Sequence, residues 1–172
     1  MGWLPDGFET PQRLDLETGH HLRPIRRSDV DIDYPAVMGS RASLWGRYGE
    51  PWGWPPETMT FEQDREDLIH HEVEIAAQET FNYAVLDAGE TELLGCVYVD
   101  PPDASCPPGT DALVSWWVVD AERGSDLERT LADVIPRWLA DTWRFRAVHY
   151  APAQPPPGSD PTHAGTPWAG GV

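Results

Sequence analysis

The stretch that most constrains this chain is residues 112–139, ALVSWWVVDAERGSDLERTLADVIPRWL. Ala112–Val119 is apolar apart from Ser115 and rich in β-branched and aromatic side chains, as a strand covered on both faces should be. Asp120–Gly124 reads as a polar turn. Ser125 then offers a hydroxyl at an N-cap position, with Glu128 at the capping-box spacing. Leu127, Leu131, Val134, Ile135, Trp138 and Leu139 recur at helical spacing on one side, with Arg129, Asp133, Arg137 and Asp141 largely on the other. Pro136 removes one internal hydrogen bond and predicts a bend. A strand that turns straight into a helix is a general anion site, because the first amides of the helix point back over the strand end.

The rest of the chain supplies what such a unit packs against. Residues 1–19 read as an arm held by a few anchors, with a strand over Leu14–Leu16 that resumes at His21–Arg26 after a turn at Thr18-Gly19. Ser28 and Asp29 are good caps for a helix start, and Tyr34-Pro35 suggests a fresh start for a helix from Pro35 to Arg47. Tyr48 to Pro56 is too rich in Pro and Gly for helix or strand and reads as a loop carrying Trp52 and Trp54. Thr60 and Gln63 form a capping box for a helix to about Gln78, with Phe61, Leu68, Ile69, Val73 and Ala76 as its apolar face. Phe81–Asp87 and Glu92–Asp100 read as a hairpin, with Gly95 marking a bulge or a close backbone approach. Phe145–Tyr150 is a further strand. The last 22 residues hold six Pro and four Gly, which favours an extended, disordered tail over 151–172.

Several of these segments, taken together, resemble the GNAT N-acetyltransferases, which use acetyl-CoA. In that family a strand ending in hydrophobic-x-Val leads into Arg/Gln-x-x-Gly-x-Gly/Ala at a helix start. Trp116-Trp117-Val118 matches the strand end, Arg123-Gly124 falls on the usual Arg-Gly, and Leu127, Thr130 and Leu131 match the apolar helix positions. HHLRPIRRSDVD has the form of the family's opening strand and first helix, and LLGCVYVDPP that of its third strand. The resemblance covers residues 20–150. It implies an α+β fold: a mixed, mostly antiparallel sheet of about five strands flanked by helices, without the family's last helix and strands. It also implies acetyl-CoA as cosubstrate, held by Trp116, Trp117, Val118, Arg123, Gly124, Ser125, Asp126 and Leu127. The two small residues that cradle the diphosphate in the family are replaced here by Asp126 and Glu128, which add bulk and like charge at that point. The link between the family's first two helices helps form the acceptor site, which makes Trp45, Trp52 and Trp54 the substrate-binding candidates.

Acyl transfer to an amine needs a base for the amine, a donor for the oxyanion and a proton for the leaving thiolate. In the family the oxyanion donor is a backbone N–H on the fourth strand, here that of Trp117 or Val118. Asp100, Asp111 and, through water, Ser115 are available as bases, and Tyr98 or Tyr150 as acid; of these, Asp111, Ser115 and Tyr98 are the catalytic candidates. A second reading is a GNAT-fold binding or regulatory protein that no longer binds acetyl-CoA.

The charge bears on partners. A net charge of −17 argues against nucleic acid and anionic membrane surfaces and is compatible with a small-molecule or cationic amine acceptor. Cys96 and Cys106 stand in no paired-ligand spacing, and His70-His71-Glu72-Val73-Glu74 lacks the HExxH pattern, so no metal site is expected and the two histidines read as a solvated face. No stretch approaches the roughly 20 apolar residues of a membrane span, and the N-terminus lacks the pattern of a signal peptide; the expected location is the cytoplasm.

Overall fold

A computed structural model describes residues 3–151. Its frame is one six-stranded sheet in sequential order: β1 Leu14–Asp15, β2 His21–Pro24, β3 Phe81–Leu86, β4 Leu93–Asp100, β5 Ala112–Val118 and β6 Val148–Tyr150. Every neighbouring pair is antiparallel except β5 and β6, which run parallel. A parallel pair needs a crossover, and the amphipathic helix α4, Asp126–Asp141, supplies it. This is the mixed, mostly antiparallel α+β sheet expected, with the short N-terminal β1 as a sixth strand.

The sheet is covered on both faces. On one, α4 lays Leu127, Leu131, Ile135 and Leu139 against Val97, Val99, Val114 and Trp116. The stretch before β1 joins this side through Leu4 and Phe8, and Trp3 Nε1 donates to the Asp111 carbonyl at 2.7 Å. On the other face lie α1 Val30–Gly39, α2 Arg41–Trp52 and α3 Phe61–Ala76, which bring Val37, Leu44, Tyr48 and Leu68 against Ala84, Cys96, Tyr98 and Trp117. Gly95 is a close approach, as its place in the strand suggested: a Cβ there would stand 2.1 Å from the Trp117 carbonyl oxygen.

Three local expectations are corrected. The helix expected over 35–47 is two helices. The first already runs from Val30, and the chain turns at Ser40, whose hydroxyl accepts the Asp120 N–H at 2.9 Å and so pins the joint to the end of β5. The second continues through Pro51 to Trp52, where a loop was expected, and ends at Gly53 in the left-handed region (φ 62°). The capping box at Thr60 and Gln63 is present and Leu68 of the expected face is buried, but the inward face of α3 is rotated from the apolar stripe: Asp64 is 2 % exposed while Phe61 and Val73 are exposed. The tail expected over 151–172, and with it the absence of a last helix and strands, lies from residue 152 onward outside the described residues.

Candidate active site

The alternation of a strand sends Cys96, Tyr98 and Asp100 of β4, with Ser115 and Trp117 of β5, to the α1–α3 face. Part of this face packs in the apolar cluster with Leu44, and part is open. Between them and α3 lies a cavity of about 560 Å³, walled also by Trp52 and Trp54 and by Asp33, Asp64, Asp67 and His71. α2 delivers Trp52, whose ring stacks on Tyr48 at 4.3 Å and stands edge-on to Tyr98 at 5.4 Å. Trp117 Nε1 donates to the Tyr98 hydroxyl at 2.9 Å, and the hydroxyls of Tyr48 and Ser115 meet at 3.2 Å. Burial holds the Tyr98 phenol well above its ordinary range, so it keeps its proton at neutral pH.

The electrostatics of this cavity are acidic. Burial, then the neighbouring Asp64, keeps the Asp33 carboxyl well above the usual carboxylate range, and burial moves Asp64 up to about 6. Asp100 is pushed up to about 8 by burial, with Glu74 and Asp103 adding to it. His71, which the sequence placed on a solvated face, lines the cavity and is lowered to about 4 by burial and by His70. Among the described residues no group of His, Cys, Asp and Glu is placed to hold a metal ion.

A second feature adjoins the cavity. The Val119 N–H bonds to the Leu94 carbonyl, which fixes the phase of the β4–β5 ladder: odd residues of β5 pair with β4, and even ones face the opposite edge. On that edge β6 pairs only with Ala112, Leu113 and Val114, the last contact being the Ala151 N–H to the Val114 carbonyl. From Trp116 to Val118 no strand of the described residues adjoins it. The buried Arg47 guanidinium of α2 donates to the Trp116 carbonyl there and lies 5.0 Å over the Tyr48 ring. Beyond Val118 the chain makes a 3₁₀ turn at Asp120–Glu122, and Gly124 takes φ 75° before the N-cap Ser125, whose hydroxyl accepts the Glu128 N–H at 3.2 Å.

The acidic residues of this corner are partly self-engaged. The Asp126 carboxylate faces solvent and pairs with Arg129, which also donates to the Gly124 carbonyl. Glu128 folds back so that its carboxylate accepts the Gly124 N–H at 3.4 Å, a long and weak bond. A thioester's linear arm laid along that edge would meet Arg47 at the Trp116 carbonyl, and its diphosphate would meet Glu128 at the Gly124 N–H.

Sequence reasoning and structure coincide unevenly here. Tyr98 and Trp117 line the cavity with Trp52 and Trp54, and Ser115 is buried behind Tyr48. Asp111 stands elsewhere: its carboxylate accepts the Arg146 and Ala147 N–H groups at the start of β5, which lowers its pKa. Trp45 is 41 % exposed, lies beneath the Arg41 guanidinium and against Gly49, and does not line the cavity. Trp116 turns to the α4 face, where Tyr150 meets it edge-on. Arg123, Gly124, Ser125, Asp126 and Leu127 form the corner. Asp33, Asp64, Arg47 and Arg129 were missed as site residues. For Arg129 the i, i+3 spacing from Asp126 was a usable signal, whereas the other three are brought in from distant helices.

No protein-family model matches the chain, and no curated protein matches it in sequence. Solved structures match it in fold. The ribosomal-protein-S5-alanine acetyltransferase from Vibrio fischeri does so with a TM-score of 0.61 and 17 % identity, over 81 % of this chain and 73 % of that one. RimJ from Mycobacterium smegmatis, solved with CoA-disulfide, gives 0.59 and 14 %, over 86 % and 69 %. Spermidine N-acetyltransferase from Vibrio cholerae, solved with CoA and spermine, gives 0.55 and 14 %, over 78 % and 71 %. The chain has the GNAT fold.

Proposed function

We propose, from the premise of that fold, that this protein transfers an acyl group from acetyl-CoA to the amine of a small cationic acceptor. One observation carries the reading: the same stretch of β5 has an edge that no strand of the described residues adjoins and, through Trp117, a wall of the acidic cavity. A donor laid on that edge and an amine in that cavity would meet at one place, which is the proximity an acyl transfer requires.

Acetyl-CoA supplies the activated acyl group; the edge of β5 from Trp116 to Val118 would hold its arm, and Arg123 to Leu127 its diphosphate. The chain's own residues do the rest. Asp64, whose field reaches Cys96 at the end of the cavity nearest Val118, takes a proton from the bound ammonium, its carboxyl moved up to about 6 being deprotonated at neutral pH. Tyr98, held protonated, gives a proton to the departing sulfur. The Val118 N–H on the open edge donates to the acyl oxygen. Carboxylates around the cavity draw a cation in and repel anions. The neighbours named for ribosomal-protein alanine and for spermidine also act on amines.

Glu128 on the Gly124 amide favours the second reading, a GNAT-fold binding protein without acetyl-CoA. Calorimetric titration of acetyl-CoA separates the two. Saturable heat, with acylated amine detected by mass spectrometry, supports transfer. No heat at millimolar acetyl-CoA rejects it.

A further inference from the structure

The buried residues of α2 are Leu44, Arg47, Tyr48, Gly49 and Pro51, so its inward face carries one branched aliphatic side chain and one guanidinium. A guanidinium is costly to remove from water, and a Leu or Met at 47 would cover β5 without that cost. Arg47 is nevertheless only 8 % exposed. Its Nη1 donates to the Trp116 carbonyl, and its Cζ lies 5.0 Å from the centre of the Tyr48 ring. That ring is itself fixed. It stacks on Trp52, and its hydroxyl stands 3.2 Å from Ser115 Oγ.

The carbonyl that Arg47 meets lies on the β5 edge past the end of β6, which no strand of the described residues adjoins. A strand carbonyl shielded from water needs a donor. Here the donor comes from a helix side chain rather than from a neighbouring strand. An extended molecule laid along this edge would offer the same carbonyl an amide N–H at about 2.9 Å. It would run through the place that the guanidinium fills. The Val118 N–H follows on the same edge. An aliphatic residue would close the edge for good, whereas Arg has a long flexible stem and a head that is stable in water, so it can leave.

We infer that Arg47 is a displaceable latch on the donor edge: it stands in for the N–H of an acyl donor, and a donor is seated only as the guanidinium leaves the Trp116 carbonyl. The identity of the donor rests on the acyl-transfer reading; the contact that is broken does not. Leu44 and Tyr48 keep α2 on the sheet while the side chain swings. The latch is closed in the free protein alone. It therefore lowers the apparent affinity by the fraction of molecules whose edge is open, and it does so through the association rate.

The test uses the full chain and acetyl-CoA, with binding followed by stopped-flow tryptophan fluorescence and calorimetry. Arg47→Met keeps the stem and removes the donors. It should associate about tenfold faster with its dissociation rate unchanged, so that Kd falls tenfold, or about 1.4 kcal/mol. A variant with the unaltered protein's thermal melt that associates no faster overturns the inference. So does a weaker complex that dissociates faster, which would make Arg47 a residue that holds the bound donor. A second measurement needs no variant: in a crystal structure of the unaltered protein with coenzyme A, Arg47 should stand away from the Trp116 carbonyl. Coenzyme A on the edge with that bond intact overturns the latch and leaves the transfer reading standing. Faster association of the variant, without acylated amine from either protein, sinks the transfer reading alone. No binding by either protein sinks both.

Discussion

The two faces of the central strands are built from alternate residues of the same few peptides, and they could hardly differ more. Val97, Val99, Val114 and Trp116 meet α4 in an apolar core in which Leu131, Ile135 and Leu139 are fully buried. One residue along in each case, Cys96, Tyr98, Ser115 and Trp117 meet hydroxyls, a buried guanidinium and carboxylates around a cavity. The first face stabilises the sheet by removing apolar area from water, about 25 cal/mol per Å². The second spends part of that stability on desolvated carboxylates that folding alone does not require. The contrast teaches how a sheet divides its labour: one side holds the ladder together, and the other then tolerates unmatched polar groups.

The sharpest way to break the comparison is to damage the apolar face. Leu131→Ala should cost about 3–5 kcal/mol, read as a lowered denaturant midpoint, while amine binding under native conditions persists. An equal loss from an apolar-to-Ala change beside the cavity, such as Val37→Ala, would erase the distinction. On the other face, Asp64→Asn should lower kcat about a hundredfold, or about 2.7 kcal/mol, with the fold kept. The pH profile carries the sign. The base works deprotonated, so the unaltered protein's rate should rise toward a plateau above about 6, and the variant's should lose that step.

Asp64→Asn should act in the opposite direction on stability. The Asp64 carboxyl is raised from 3.8 to about 6 in the fold, so its contribution is intact below pH 4 and lost as pH rises through 6. The variant should therefore gain on the order of 2 kcal/mol at pH 8 and almost nothing at pH 4, in parallel thermal melts. A variant that loses stability at pH 8 would mean that the carboxylate is structural. The smallest effect is expected at the exposed corner, away from both faces. Glu128→Gln removes a charge beside Gly124 while keeping an acceptor oxygen, and should tighten acetyl-CoA about threefold, within the range of a surface charge.

Much of the fold was legible because the signals were local. The alternation and β-branched content of 112–118, the apolar stripe of α4, the Ser125 and Thr60 caps and the close approach at Gly95 each depend on residues a few positions apart. The candidate site was legible only in part. Trp52 and Trp54 could be picked out as loop aromatics, and Tyr98 as a polar group in a buried strand. Asp33 and Asp64 could not, because a carboxylate on a helix ordinarily faces water.

By itself, then, the sequence determined the strands, their order and the capped starts of α3 and α4, all consequences of backbone period and end-capping, while the division of 30–52 into two helices was not read from it. Tertiary structure alone decided which way α3 faces. Its apolar residues pointed to Val73 as core, yet Val73 is exposed and Asp64 buried. Period tells how a helix is striped, but the surface it is laid against decides which stripe goes inward, and here that surface is the wall of a cavity.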